Sequence, residues 1–498
     1  MNLAGMKTIL AIDQSTSATK AVLFDTQGKV LARVAREHKQ IYPSPGWVEH
    51  NPEEIWENTV YVSRELKATH PEAFKELLCV SITNQRETVV VFEKGTGRPL
   101  YNALVWQCRR GQAICERLKQ AGYDEILRRK TGLAIDTYFS APKLRWLIEN
   151  EREISDALKS GRALIGTIDA YLIYRLTKCK VFATDFTNAS RTLLLNVVNL
   201  QWDKELCEMF KVPLASLPEV RESACTFGET DIDGILSHPV PICGVMGDSQ
   251  AALFAQQCYQ PGTGKATFGT GTSILVNIGS EFRLSRSGAV TALAWVLDKE
   301  PTYAFEGLIN YSAATIEWLR NQLSLINSAA EVEALATEVP DNGGVYLVPA
   351  FTGLNAPYNA PLARAAILGM TPATRRSHIV RAALEAIAYQ IRDVIEMMES
   401  EGNLKLSVLN CDGGPTKNRF LMQFVADIVG LELLVSELAE ASALGAAMNG
   451  MLGLGIYPDI KSLEAIKVSG TIYRRKMDSV AADRLYAGWL DAVARLIK

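Results

Sequence analysis

Two stretches of the chain share one design. ILAIDQSTSATKAVLFD at 9–25 reads as an apolar strand, a tight turn of small hydroxyl residues and a second apolar strand. KATFGTGTSILVN at 265–277 repeats the pattern with glycine and threonine in the turn. Either hairpin alone is explained by an ordinary polar turn. A pair of them, one in each half, points to a duplicated nucleotide-binding architecture, because a loop of small residues offers free backbone N–H groups to phosphate oxygens. No G-x-G-x-x-G fingerprint or Walker A motif occurs, which disfavours the Rossmann and P-loop readings.

At 498 residues the chain exceeds one compact core, so two domains are expected. The boundary is placed near 257, giving domains 1–256 and 257–498. It follows the apolar run after Asp248 and precedes the Pro261-Gly262 turn, where the strand–hairpin–strand pattern restarts. Net charge is −3 with no basic block, which argues against a nucleic-acid partner. No apolar run approaches the roughly 18 residues that a bilayer span needs. The N-terminus has no charged region before its apolar stretch, so a cytoplasmic location is expected. Nine scattered cysteines without a C-x-x-C pair suit reduced thiols, and five separated histidines argue against a histidine metal site.

The candidate chemistry is concentrated at strand and helix ends. Asp248 in MGDSQAALF opens a predicted helix and could face a phosphate as a base; a helix cap is the plainer role. Asp13 ends a buried strand, where a carboxylate suits Mg2+ through water. Thr16, Ser17 and Lys20 follow in the first hairpin. Arg86 and Glu87 break VSITNQRETVVVFE at a strand end, and together they offer the donors and acceptors that a polyhydroxyl substrate needs. A solvated turn would explain them equally well. Trp106 has an indole face that can stack on a carbon backbone, though core packing is commoner. Tyr138 precedes a predicted helix from Ala141. Gly413-Gly414 after the strand in VLNCDGGPTKN would let an adenine ring lie on bare backbone, with Asn418 in reach. Further helices are predicted from Pro52, and at 312–323, 375–400, 417–430 and 442–453. The last is rich in small residues (Ala443, Gly445, Ala446, Ala447), which predicts close backbone packing.

These residues resemble the FGGY carbohydrate kinases from Ile9 to about Val493. YFSAPKLRWLIEN at 138–150 and AAILGMTPATRRSHIVRAALE at 365–385 look like the two family signatures. QIYPSPGWVEH, TNQRET, YNALVWQCRR, TNASRT, GDSQAALF, VPAFTGL, FLMQF and ALGAA follow in family order. Within the family the likeness is greatest to members that phosphorylate glycerol. The resemblance implies an α/β fold of two actin/hexokinase-type (ribonuclease H-like) domains around a central cleft. It implies transfer of the γ-phosphoryl of ATP, with Mg2+, to a primary hydroxyl of a small polyol, glycerol first.

By motif match Asp248 is the general base, and Arg86, Glu87, Trp106 and Tyr138 surround the substrate. Thr16, Ser17, Lys20 and Thr270 lie near the phosphates, Ala313, Glu317, Gly414 and Asn418 near the adenosine, and Asp13 with Asp248 near the metal. Homodimers or homotetramers are common in the family. The chain departs from the family pattern at Ser15, Lys20, Ala313, Glu317 and 354–364. Ser249 and Ser273 replace a glutamine and a phenylalanine at the substrate. The missing ring would leave roughly 150–250 Å2 uncovered, so a four- or five-carbon polyol or ketose (erythritol, erythrulose, xylulose, ribulose) is the rival substrate. A non-catalytic actin-like nucleotide-binding protein is the rival class.

Overall fold

The structure, a computed structural model, describes residues 5–438 and 440–497. It contains two compact units. The first comprises Met1–Gln257, Ala292–Tyr303 and Ala439–Lys467; the second comprises Cys258–Thr291, Ala304–Leu438 and Val468–Lys498. Both are α/β.

The first unit is built on a six-stranded sheet. From one edge its strands are Val30–Glu37, Ala18–Asp25, Thr8–Gln14, Leu77–Asn84, Val240–Gly247 and Thr226–Thr230. The first three form an antiparallel meander, and the next two run parallel to Thr8–Gln14. Thr8–Gln14 is buried along its whole length, which is why its sequence is a continuous apolar run rather than an alternation. The helix Pro52–Thr69 packs on the meander. Asn51 caps it by accepting from the Glu53 N–H (2.9 Å), and Pro52 occupies the first turn as expected from the sequence.

The second unit repeats the strand order. Glu300–Ile309, whose residues from Ala304 on belong to this unit, is followed by Thr272–Gly279, Thr263–Phe268, Val408–Gly413, Glu432–Ser436 and Gly470–Tyr473. Thr263–Phe268 pairs antiparallel with Thr272–Gly279 and parallel with Val408–Gly413. The predicted helices form as Ala313–Asn321, Arg376–Gly402 and Arg419–Val429. Asn418 caps the last, its Oδ1 accepting from the Leu421 N–H at 2.9 Å, and Gly430 ends it in the left-handed region.

Two segments beyond residue 257 pack with the first unit. Ala292–Tyr303 is held by Gln250, whose Nε2 donates to the Leu293 carbonyl, and by Tyr303, whose hydroxyl donates to the Val197 carbonyl. The helix Ala441–Gly453 lies against Asp248–Ala255 and Val240–Gly247. Its small residues have the role that the sequence predicted. A Cβ at Gly445 would collide with the Ala251 carbonyl, and one at Gly450 would lie 2.7 Å from the Cys243 carbonyl oxygen. The sheet therefore finishes its packing with a helix from late in the chain.

Candidate active site

In the first unit the functional groups gather at the carboxyl ends of the parallel strands. Val240–Gly247 ends at Gly247, and the helix Asp248–Ala255 begins at once. Gly247, not Asp248, occupies the capping position, so the carboxylate is not consumed as a helix cap. One oxygen accepts from the Ser249 N–H (2.7 Å) and lies 3.2 Å from Arg86 Nε. The Asp248 side chain remains 37% exposed, whereas that of Arg86 is only 5% exposed. Gly247 must lack a side chain here, since a Cβ would sit 2.8 Å from Arg86 Cγ. Arg86 is also steadied by Gln250, with 3.1 Å between Nη1 and Oε1.

Glu87 follows with φ of 62° and is buried. Its carboxylate accepts from the fully buried Arg191, whose guanidinium stacks near Phe139 and Tyr138. The Tyr138 ring meets Trp106 edge to face at 5.4 Å. Trp106 in turn donates its indole N–H to Thr16 Oγ1 at 3.0 Å. Arg86, Glu87, Trp106, Tyr138, Asp248, Ser249 and Thr16 are thus linked by contacts within one unit.

The first hairpin carries the charge. Asp13 pairs across the strands with Lys20, with 3.2 Å between Oδ2 and Nζ. Lys20 also reaches Glu440 at 2.7 Å, and Arg33 closes on the other Glu440 oxygen. Burial raises the Asp13 carboxyl to about 6; Lys20 opposes that rise without cancelling it. For Lys20 burial disfavours the charge, but Asp13 and Glu440 outweigh it and hold the ammonium above its ordinary range. Ser15 closes the turn with its hydroxyl donating to the Ala18 carbonyl (3.0 Å), and Ser17 is exposed at the tip.

The second unit presents a cavity and a hairpin whose turn carries no charge; its first strand holds the buried Lys265, whose ammonium donates to Thr267 Oγ1 at 2.9 Å. Thr270 is exposed at the hairpin tip. Its carbonyl accepts from the Ser312 and Ala314 N–H groups (2.9 and 3.1 Å), and the Gly269 carbonyl accepts from Ala313 (3.1 Å). The loop is therefore seated on the first turn of Ala313–Asn321. Ala313, Glu317, Gly414 and Asn418, with Ile316 and Leu421, line a cavity of about 510 Å3. Nothing lies within 4 Å of a Cβ built on Gly414, so that backbone is open to a flat ring. Ser273 stands on Thr272–Gly279 opposite Thr267, with its hydroxyl oxygen buried and unpartnered.

Four further residues shape the site without having been singled out from sequence: Arg191, Gln250, Lys143 and Glu440. Lys143 is fully buried, and its ammonium donates to the carbonyls of Thr137, Tyr138 and Phe139 at 2.9, 2.8 and 2.7 Å. Burial lowers it to about 8. A lysine inside the apolar stretch YFSAPKLRWLI was a signal, but backbone carbonyls leave no mark in a sequence. Among the described residues, no cluster of three or more His, Cys, Asp or Glu side chains forms a closed metal cage, and all nine cysteines are free.

A duplicated actin/hexokinase-type frame, with a carboxylate–arginine pair at the strand ends of one unit and a cavity of about 510 Å3 in the other, is the frame of a phosphotransferase. The chain matches the model of the FGGY family of carbohydrate kinases, N-terminal domain, over residues 8–255, and that of the C-terminal domain over 264–454. The chain belongs to the FGGY family of carbohydrate kinases. It is 46% identical to glycerol kinase 2 of Thermotoga maritima over 98% of its own length and 99% of the relative. It is 44% identical to the glycerol kinase of Desulfitobacterium hafniense over 99% of this chain and all of the relative (100%). The crystal structure of Plasmodium falciparum glycerol kinase with ADP superposes with a TM-score of 0.95 at 36% identity, covering 99% of both chains. A xylulose kinase from Lactobacillus acidophilus, at 21% identity and a TM-score of 0.87, shares the fold. The protein is a kinase, which sets aside the non-catalytic alternative.

Proposed function

We propose that the protein transfers the γ-phosphoryl group of ATP to a primary hydroxyl of glycerol, giving glycerol 3-phosphate, with Asp248 as general base. One observation carries the reading: a part-exposed carboxylate held 3.2 Å from a buried arginine at a strand end. An acceptor hydroxyl at Asp248 would give its proton to the carboxylate as the new P–O bond forms. Arg86 and Glu87 would bind the remaining hydroxyls, and the Trp106–Tyr138 pair would cover the carbon chain. Lys20, with Thr16 and Ser17, would meet the phosphate oxygens from the first hairpin, and Thr270 from the second. Glu440 would then compete with phosphate for Lys20. Ala313, Glu317, Gly414 and Asn418 would hold the adenosine.

Mg2+ fits Asp13 and Asp248 as a partner of ATP: the donors are two carboxylates rather than a cage, and burial raises Asp13 in a way that a dication would offset. Bound there, it would neutralise charge on the transferring phosphoryl group. The same reading includes a division of labour between residues 1–256 and 257–498, a cytoplasmic location, consistent with nine free cysteines, and assembly as a homodimer or homotetramer. No described helix is long and apolar enough to cross a membrane.

A second reading, a four- or five-carbon polyol or ketose as substrate, rests on Ser249 beside the base and on the unpartnered Ser273 hydroxyl. A coupled ADP-release assay with glycerol, dihydroxyacetone, erythritol, erythrulose, xylulose and ribulose separates the two. The main reading expects glycerol to give the highest kcat/KM, and a hundredfold lead would end the second. No polyol-dependent ADP from any of them would end both.

A further inference from the structure

Asp185 is a fully buried acid with no part in the proposed chemistry, yet its hydrogen bonds lead, through Thr187 and Asn188, to the strand ends that carry Asp248 and Arg86. One oxygen accepts from the Thr187 hydroxyl (2.7 Å), the Thr187 N–H (3.0 Å) and the Ser223 hydroxyl (2.8 Å). The other accepts from the Asn188 N–H (2.9 Å) and side-chain amide (2.8 Å). Thr187 has a single hydroxyl proton and spends it on Asp185, so its lone pairs are left to accept. They take the Gly247 N–H at 2.8 Å, from sixty residues further along the chain. Gly247 is the last residue of its strand and the one that hands the chain to Asp248. The Asn188 branch reaches the partner side: Asn84, two residues before Arg86, donates its amide to Asn188 Oδ1 at 2.9 Å. Arg86 in turn lies so close to Gly247 that a Cβ there would clash.

We infer that Asp185, acting through Thr187 and Asn188, is a positioning residue that sets the Asp248 carboxylate against Arg86. The inference rests on the proposed role of Asp248. The geometry gives it force: the Gly247 N–H is held by the Thr187 hydroxyl and its α-carbon abuts the Arg86 stem, so releasing the N–H lets the carboxylate drift. Drift of about 1 Å can cost as much as 10²-fold in rate. The bonds also explain why the short stretch TDFTNAS holds its polar side chains fully buried: every polar group on Thr187 and Asn188 that points at Asp185 is matched by a donor–acceptor pair.

The test uses Thr187, because removing the buried Asp185 carboxylate would leave its donors unpaired and threaten folding. Thr187→Val deletes the hydroxyl at nearly constant shape, and Thr187→Ser restores it. Rates are taken per active site by titration, with ATP and glycerol. Thr187→Val should lower kcat about 10–10²-fold while the KM for ATP stays near the wild-type value, and Thr187→Ser should recover most of the loss. Crystal structures supply a readout independent of activity: in Thr187→Val the Asp248 carboxylate should move from Arg86 by more than about 0.5 Å. A valine variant with wild-type kcat, a serine variant as impaired as the valine one, or an unmoved Asp248 would overturn the inference. Wild-type enzyme that releases no ADP with glycerol would instead strike the proposed function, and the structures would still decide the positioning question.

Discussion

The two hairpins occupy the same place in two sheets of the same strand order, and their chemistry differs. Gln14–Ala18 is flanked by Asp13 and Lys20, with Glu440 and Arg33 drawn in from elsewhere in the first unit. The loop at Gly269–Thr272 has no charged residue and is anchored by carbonyls seated on the Ala313–Asn321 helix. The frame is shared, and the proposed function divides the work between the two turns. On the proposed function the first hairpin would meet phosphate and metal through Lys20 and Asp13. The second turn, Gly269–Gly271, would offer backbone groups, with the nearest hairpin charge, Lys265, set back on the strand.

If that division is right, substitutions should hurt in different ways. The largest loss is expected at Asp248: Asp248→Asn should keep ATP binding by calorimetry and lower kcat by about 10²–10⁴. Near-normal turnover would remove it from the base role. Lys20→Met takes a cation from the first hairpin and should cost about 10²–10³ in kcat, read by steady-state kinetics. At the second turn the backbone should matter. Gly271→Ala would drive a methyl group into the Ile309 carbonyl and within 3.1 Å of the Asn310 oxygen, and should raise the KM for ATP at least about tenfold. Thr270→Val leaves the carbonyl bonds intact and should have the smallest effect on kcat/KM.

Asp13 sharpens the contrast through stability. Its carboxyl is raised to about 6 in the fold from an ordinary 3.8. Between those values the folded state holds more protons than the unfolded state, so stability falls as pH rises from about 4 to 6 and stays lower above. Asp13→Asn cannot ionise. Its Tm should exceed that of the wild type at pH 8 and converge on it at pH 4, while kcat falls. Equal Tm differences at both pH values would contradict the assigned cause.

Local features were legible in the sequence because local physics decides them. The apolar runs at 9–12 and 274–276 became buried strands, and Asn51 caps its helix as read. Arg86, Glu87 and Asp248 came together because they follow neighbouring parallel strands of one sheet, Leu77–Asn84 and Val240–Gly247, and Trp106 and Tyr138 join them from connecting segments. What could not be read depends on distance along the chain. Lys20 meets Glu440 across 420 residues, and the helix Ala441–Gly453 joins the first unit although it follows the second hairpin. The small residues of that helix announced a close neighbour without saying which one. Asp185 was hidden for another reason: a buried carboxylate whose partners are hydroxyls and amides looks, in sequence, like any polar turn.

The most direct measurement is product stoichiometry. The wild-type enzyme, given ATP, Mg2+ and glycerol, is followed by phosphorus NMR. The account predicts that glycerol 3-phosphate and ADP accumulate one for one, with no inorganic phosphate beyond a trace. ADP that forms without glycerol, or with inorganic phosphate in place of the phosphoester, would contradict it.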